Sequence, residues 1–268
     1  MPAVLDASAP AAYPPRVLSL EAVALLVAAG LVAGVVNTLA GGGSLLTLPA
    51  LIFVGLPAGV ANGTNRVAVL VQSATASAGF RRGGALDLKR ATLLLLPSLA
   101  GAAVGAALAV RVPDDAMQRV IAVSLLVFLV PVLVKPDVWL HGRPGAFSGR
   151  PPVWMYPALF AVGVYGGFLQ AGVGFLILAV LVLGGGLDLV RANGVKVYLV
   201  AGYTVLALAI FLASGQVEWR SGIALAAGNG VGGWLGARMA LRRGAGFVRA
   251  VLVVAVLASA AKLLGLLP

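Results

Sequence analysis

The 268-residue chain is 61% hydrophobic and 10% charged, with a mean hydropathy of +1.06 and 36 glycines, more apolar surface than a soluble globular core can use. Cysteine is absent, which excludes disulfides, redox thiols and thiolate metal sites. A net charge of +11 would suggest nucleic acid in a soluble protein, but the basic residues sit mainly in short loops, where they set topology, so no nucleic-acid partner is expected.

Residues 1–17 read as a Pro/Ala-rich tail without the basic n-region or cleavage site of a secretory signal, and are expected to be retained. A bilayer core about 30 Å thick needs roughly 20 apolar residues as helix, and the chain offers several such runs. The first covers 18–39 and ends in "NTLAGGGSLLTLP", Asn37 to Pro49, where three glycines, an asparagine and several hydroxyls interrupt an apolar region. A short segment at 44–56 follows, then spans at 59–80, 91–110 and 116–134. The linker 135–152 carries Lys135, Arg143 and Arg150. After it come 153–170, a short segment at 174–186, and spans at 189–213, 220–240 and 247–266. The two short segments, roughly 20 Å as helix, cannot cross a bilayer unaided and read as half-helices. The fold class is an all-α polytopic membrane protein.

The chain also repeats itself. The shift that carries Asn62 onto Asn193 places Ala40-Gly41-Gly42-Gly43 on Ala171-Gly172-Val173-Gly174, Gly55-Leu56 on Gly186-Leu187, Phe80 on Phe211 and Gly84 on Gly215. The domain reading is therefore a tail (1–17), repeat 1 (18–134), a linker (135–152) and repeat 2 (153–268). Loop charges orient the repeats. The turn with Arg81, Arg82, Lys89 and Arg90 has an equivalent, "SGQVEWR", with only Arg220; the next turn, "RVPDDAMQR", has an equivalent with Arg238, Arg242, Arg243 and Arg249. Positive-inside counting thus puts equivalent loops on opposite sides, giving inverted repeats with a cytoplasmic linker and both termini outside.

Irregular backbone inside a membrane is tolerated only where protein or a water-filled cavity surrounds it. Gly41, Gly42 and Gly43 permit such a turn, and Ser44 is expected to cap the following half-helix, turning its positive end toward mid-membrane. Gly172 and Gly174 mark the second break. In inverted-repeat transporters paired breaks bind substrate, and helix N-termini favour anions; the alternative is that these glycines serve packing alone. All eight acidic residues fall in the tail or at segment ends, so none is placed as a mid-membrane proton relay. Arg66 and Lys196 do lie within spans, flanked by Asn62, Thr64, Asn65 and Asn193. Intramembrane charges are costly and usually functional. With no buried acid to pair with them, the expected partner is a small anionic substrate; the alternative is snorkelling to the headgroups.

Two stretches carry a family resemblance. "GVVNTLAGGGSLLTLPALIFVGLPAGVANGTNRVAVL" closely resembles the first-repeat signature of the TauE/SafE family of bacterial membrane permeases, and "GFLQAGVGFLILAVLVLGGGLDLVRANGVKVYLV" resembles the second. The resemblance covers the chain from about residue 20. It implies an inverted-repeat transporter, with some members linked to export of sulfite or organosulfonates and others to uptake of sulfur compounds. The family motif positions are Asn37, Gly41, Gly42, Gly43, Pro49, Gly63, Thr64, Asn65, Gln170, Gly172, Gly174, Asn193 and Lys196; Val195 stands where the first repeat has Thr64. The implied location is a bacterial inner membrane.

Other features read as structural. His141 lies in a loop beside Gly142 and Pro144, away from any metal-ligand set, so no metal or cofactor is expected. "PDDA" at 113–116 reads as a helix start, and the Gly101/Gly105 and Gly232/Gly236 pairs as helix-packing motifs. Trp139, Trp154, Tyr156 and Trp219 sit near segment ends, as an interfacial belt requires. No Ser/His, paired-carboxylate or metal set occurs in the spans, so an enzyme is not expected. The reading is a permease for a small sulfur oxyanion such as sulfite or an organosulfonate, with a passive anion channel or a permease for another small organic anion as the alternatives.

Overall fold

The chain is described by a computed structural model over residues 17–127 and 151–263. The first 16 residues, 128–134 of the fifth segment, most of the linker with Trp139 and His141, and the last residues of the final span lie outside it. Leu20–Leu39 forms α1, Ser44–Phe53 α2, Ala58–Arg82 α3, Leu88–Ala109 α4 and Asp114–Val127 α5. Met155–Phe168 forms α6, Val173–Ala179 α7 with a π-helical turn at Val180–Gly184, Leu189–Ala213 α8 and Trp219–Leu263 α9. No strand occurs among the described residues. By length and composition α1, α4 and α8 can cross a membrane, while α2, α6 and the run 173–184 are shorter apolar helices. The spans expected at 220–240 and 247–266 form one helical run broken at Gly244, where φ is 71° and ψ −172°.

Helix starts explain where the acids went. Asp87 Oδ1 accepts from Arg90 N at 3.2 Å, and Asp188 Oδ1 from Val190 N and Arg191 N at 2.9 and 3.0 Å. The Glu218 carboxylate accepts from Arg220 N and Ser221 N at 3.1 and 2.7 Å. Each satisfies amides that the first helical turn leaves without partners and places negative charge at the positive end of the dipole. Asp114 and Asp115 open α5, and Asp114 Oδ1 also accepts from Gly59 N at the start of α3, at 2.8 Å.

The packing is reciprocal: α1 lies against α9 and α6 against α4, while α3 packs on α8 and α9 and α4 on α8. Small residues bring the first two pairs into backbone contact. A Cβ on Gly34 would sit 2.5 Å from Asn229 O, and one on Gly163 2.5 Å from Ser98 O. Gly101 and Gly105 meet the α6 backbone, and Gly232 meets that of α1. These are the close crossings that small residues permit in a membrane bundle.

Contacts gather the loops into two groups. Gly59 meets Asp114, Gln216 Nε2 donates to Val110 O at 3.0 Å, and Thr64 Oγ1 accepts from Glu218 N at 2.9 Å. Gly194 lies beside Ala85, Gly83 beside Leu241 and Gly184 beside Trp154. The second group carries exposed Arg81, Arg82, Lys89, Arg191, Arg238, Arg242 and Arg243; the first carries Glu21, Asp114 and Asp115 with Arg111, Arg119 and Arg220.

The ungapped shift needs one correction. Gly55 and Gly186 (φ 89° and 69°) and Gly84 and Gly215 (both 71°) occupy matching turns, as the shift requires. At the breaks, however, the backbone of Gly41 (φ 92°) matches that of Gln170 (φ 68°), not Gly172, two residues short of it. The second half thus has two more residues between break and third helix. Its short helical run is correspondingly longer, 173–184 against 44–53, and contains the π turn, which accommodates extra residues without ending a helix.

Candidate functional site

The two breaks are built alike. Ala40 N and Gly41 N both donate to Val36 O at 2.7 and 3.2 Å; Leu169 N and Gln170 N both donate to Tyr165 O at 2.9 and 3.5 Å. Each arrangement ends a helix and leaves its last carbonyls, the negative end of the dipole, without intrahelical partners. Both ends are buried, out of reach of bulk water. Side chains from the other half satisfy the carbonyls. Asn193 Nδ2 donates to Leu39 O at 3.1 Å, and Asn62 Nδ2 to Phe168 O at 2.8 Å.

The buried cations complete both ends. Lys196 Nζ donates to Asn37 O, Thr38 O and Asn193 Oδ1 at 2.8, 2.9 and 2.5 Å. Arg66 donates to Gly166 O, Gly167 O and Phe168 O at 3.2, 2.5 and 3.3 Å, and its guanidinium lies 4.4 Å from the centre of the Phe211 ring. Arg66 is 0% and Lys196 1% exposed, so neither snorkels. Apart from Asn193 Oδ1, their partners are backbone carbonyls, which no residue type marks in the sequence.

At the crossing point the breaks touch. A Cβ on Gly41 would lie 2.6 Å from Gly174 Cα, and Gly41 already has a φ that disfavours side chains, so this approach demands glycine from both segments. Gly42 faces the Phe175 ring, and Gly43 packs on Asn37 and Ala33. Gly172, at φ 70°, precedes α7. Ser44 is the first residue of α2 and makes no cap; its Oγ accepts from Asn65 Nδ2 at 3.1 Å, and Asn65 Oδ1 accepts from Thr47 Oγ1 at 2.6 Å. The expected serine cap is thereby corrected: the amide satisfied at the break is Gly43 N, by Asn37 Oδ1 at 3.3 Å. Thr64 turns away to the start of α9.

Between the breaks lies a cavity of about 10 Å³, room for roughly one water. Asn37, Ser44, Gln170, Gly174 and Lys196, all anticipated, line it; Gly41, Gly42, Gly43, Asn62, Thr64, Asn65, Arg66, Gly172 and Asn193 do not. Ser73 and a wall of Val69, Val173, Val197 and Val200 complete the lining. Ser73 was legible only through helical spacing, since it lies on the Arg66 and Val69 face two turns on. A polar network supports the wall. Asn37 Nδ2 donates to Gln72 Oε1 at 2.6 Å, Gln72 Nε2 to Thr38 Oγ1 at 2.7 Å, and Ser73 Oγ to Gln72 Oε1 at 3.2 Å. Gln170 Nε2 donates to Thr204 Oγ1 at 2.7 Å, and its side chain neighbours the buried Tyr203 hydroxyl.

Residues 26–263 match the model of the family described as "Sulfite exporter TauE/SafE". The "Probable membrane transporter protein ORF9" of a Sinorhizobium species is 31% identical over 92% of this chain and 94% of its own length. A "Probable membrane transporter protein" of Haemophilus influenzae is 27% identical over 88% of this chain and 92% of its own. The Escherichia coli "Probable membrane transporter protein YfcA" is 27% identical over 87% and 86%. No solved structure matches the chain. With its apolar helices and this match along nearly its whole length, the chain belongs to the TauE/SafE family, a family of membrane transporters and not of enzymes.

Proposed function

We propose that this transporter moves a small sulfur oxyanion, sulfite or a short organosulfonate, across a bacterial inner membrane, binding it between the two helix breaks. The observation that carries the reading is the cavity at the crossing of the breaks. Its lining combines the Lys196 ammonium, the Ser44 hydroxyl and the Asn37 amide with four valines. A positive charge with neighbouring N–H and O–H groups suits an oxyanion in a low-dielectric site. The valines suit a small alkyl group. At about 10 Å³ the cavity admits such an anion only when the breaks part, which favours a carrier over a passive channel.

In this reading the halves, 18–134 and 153–268, are inverted repeats. Support comes from the reciprocal packing and from loops that correspond in sequence but gather in opposite groups. The arginine-rich group is then cytoplasmic, with the linker, and both termini face out. Because the chain has no cysteine, single cysteines report topology directly. Cysteines at Arg82 and Arg243 should label from the cytoplasm alone, and those at Gly215 and Asp115 from outside alone; labelling Arg82 and Gly215 from one side would end the inverted model.

The substrate is tested by thermal stabilisation of the purified protein with an anion panel. A ligand at 100 times its dissociation constant adds about 2.7 kcal/mol of apparent stability. Sulfite or ethanesulfonate should stabilise the protein more than chloride does. Equal response to every anion would reject a selective oxyanion site.

A further inference from the structure

Two buried cations perform the same local task, yet only one of them borders the cavity. Lys196 lines it; Arg66 does not. The remaining contacts separate them further. Arg66 is a planar fork spread over three carbonyls of α6 and stacked on Phe211, so reorienting it would abandon several interactions at once. Lys196 is a compact ammonium on a flexible stem, and all three of its N–H donors are occupied, two by the last turn of α1 and one by Asn193. An anion in the cavity can obtain a hydrogen bond from Lys196 only by displacing one of these acceptors.

Two of the three acceptors are the carbonyls that end α1 at the first break. A carbonyl there that loses its ammonium partner is left buried at the negative end of a helix, which favours movement of that segment. The neighbours make such movement local. Asn37, whose carbonyl is one of the acceptors, also lines the cavity, and its side chain holds Gly43 N and Gln72.

We propose that Lys196 is the exchange residue of the transport cycle: an anion entering between the breaks takes its ammonium from the Asn37 and Thr38 carbonyls, so that binding itself loosens the first break. Arg66 is the fixed clamp that keeps the second break closed on α6 meanwhile. This rests on the reading that an anion occupies the cavity, and it adds that the two halves respond unequally to it.

Hydrogen–deuterium exchange on the full-length wild-type protein in nanodiscs tests it, with and without ethanesulfonate at a concentration that saturates thermal stabilisation. The amides of 39–45 should exchange about three- to ten-fold faster with the anion, while those of 168–173 stay unchanged. In Lys196→Gln the first break should exchange fast without anion and gain nothing from it. In Arg66→Gln the second break should exchange faster, with the anion response of the first retained. Should Lys196→Gln fail to fold, Lys196→Arg replaces it, and its planar fork should reduce the anion response of 39–45. Equal acceleration at both breaks, slower exchange at 39–45 on adding anion, or an undiminished response in the Lys196 variant would overturn the proposal. If ethanesulfonate stabilises the wild type but 39–45 does not respond, the exchange role alone falls; if no anion stabilises it, the binding reading falls and takes this one with it.

Discussion

At the first break the left-handed residue is Gly41 and the cation on the helix end is Lys196; at the second the left-handed residue is Gln170 and the cation is Arg66. The two backbone bonds that close the preceding helix are the same in both, but the second break also has Gly172 at φ 70°, where Gly43 of the first has φ −59°. A glycine adopts this conformation freely, whereas a glutamine pays on the order of 1–2 kcal/mol to do so. At that position the Gln170 side chain lines the cavity. Matching helix ends with unmatched side chains show which parts hold the fold and which are free to specialise. Helix ends must be neutralised in both halves; the groups facing the cavity need not agree.

The largest expected effect concerns what the breaks share. Gly41→Ala forces a Cβ to within 2.6 Å of the Gly174 backbone in a left-handed conformation, and should cost about 4 kcal/mol or more of stability. Gly84→Ala shares the positive φ but meets nothing within 4 Å, so about 1 kcal/mol is expected. Denaturation of both variants in one detergent checks the contrast, and equal losses would show that the crossing is looser than described.

Next comes the difference between the cations. Arg66→Gln leaves three buried carbonyls short of a charged donor and should lower stability by about 3 kcal/mol, with Arg66→Lys recovering only part of it. Anion affinity in Arg66→Lys should stay within about two-fold of wild type, because this residue lies off the cavity. A large loss of affinity with little loss of stability would exchange the roles assigned to the two cations.

Smaller effects sharpen the comparison at the left-handed position. Gln170→Gly relieves the left-handed strain but loses the buried hydrogen bond to Thr204, so stability should change by no more than about 1 kcal/mol, and anion affinity should stay within about two-fold because the cavity loses no committed donor. Thermal melts with and without ethanesulfonate measure both. Of similar size, Ser44→Ala removes one hydrogen bond to Asn65 and should cost about 1 kcal/mol, without the fraying of α2 that loss of a cap would produce.

Much of this architecture was legible in the sequence. Apolar run lengths gave most helices of the described residues to within a few positions, though not the joining of 220–240 to the run beyond Gly244, and the shift relating Asn62 to Asn193 found the matching turns at Gly55 and Gly186 and at Gly84 and Gly215. The glycine runs located both breaks. What escaped was whatever depends on backbone groups, because no residue type announces a free carbonyl. The partners of Arg66 and Lys196 are of this kind, as is the Gly41–Gly174 crossing. The two-residue offset at the breaks was hidden for another reason. A π turn takes up extra residues without ending its helix, so the glycines aligned while the backbone conformations did not. At the candidate site, Asn37, Gln170 and Lys196 stood out as polar residues in apolar runs, whereas Ser73 and the four valines resemble ordinary span residues until the helices are packed.

The central claim is that an anion binds between the breaks beside Lys196. A calorimetric titration of ethanesulfonate and sulfite into wild type and Lys196→Gln tests it most directly. A charge-assisted hydrogen bond in a water-poor site contributes about 1.5–3 kcal/mol, so the variant should bind both anions roughly 10- to 150-fold more weakly while remaining folded. Unchanged affinity in a folded Lys196→Gln protein would contradict the claim and move the binding site elsewhere in the molecule.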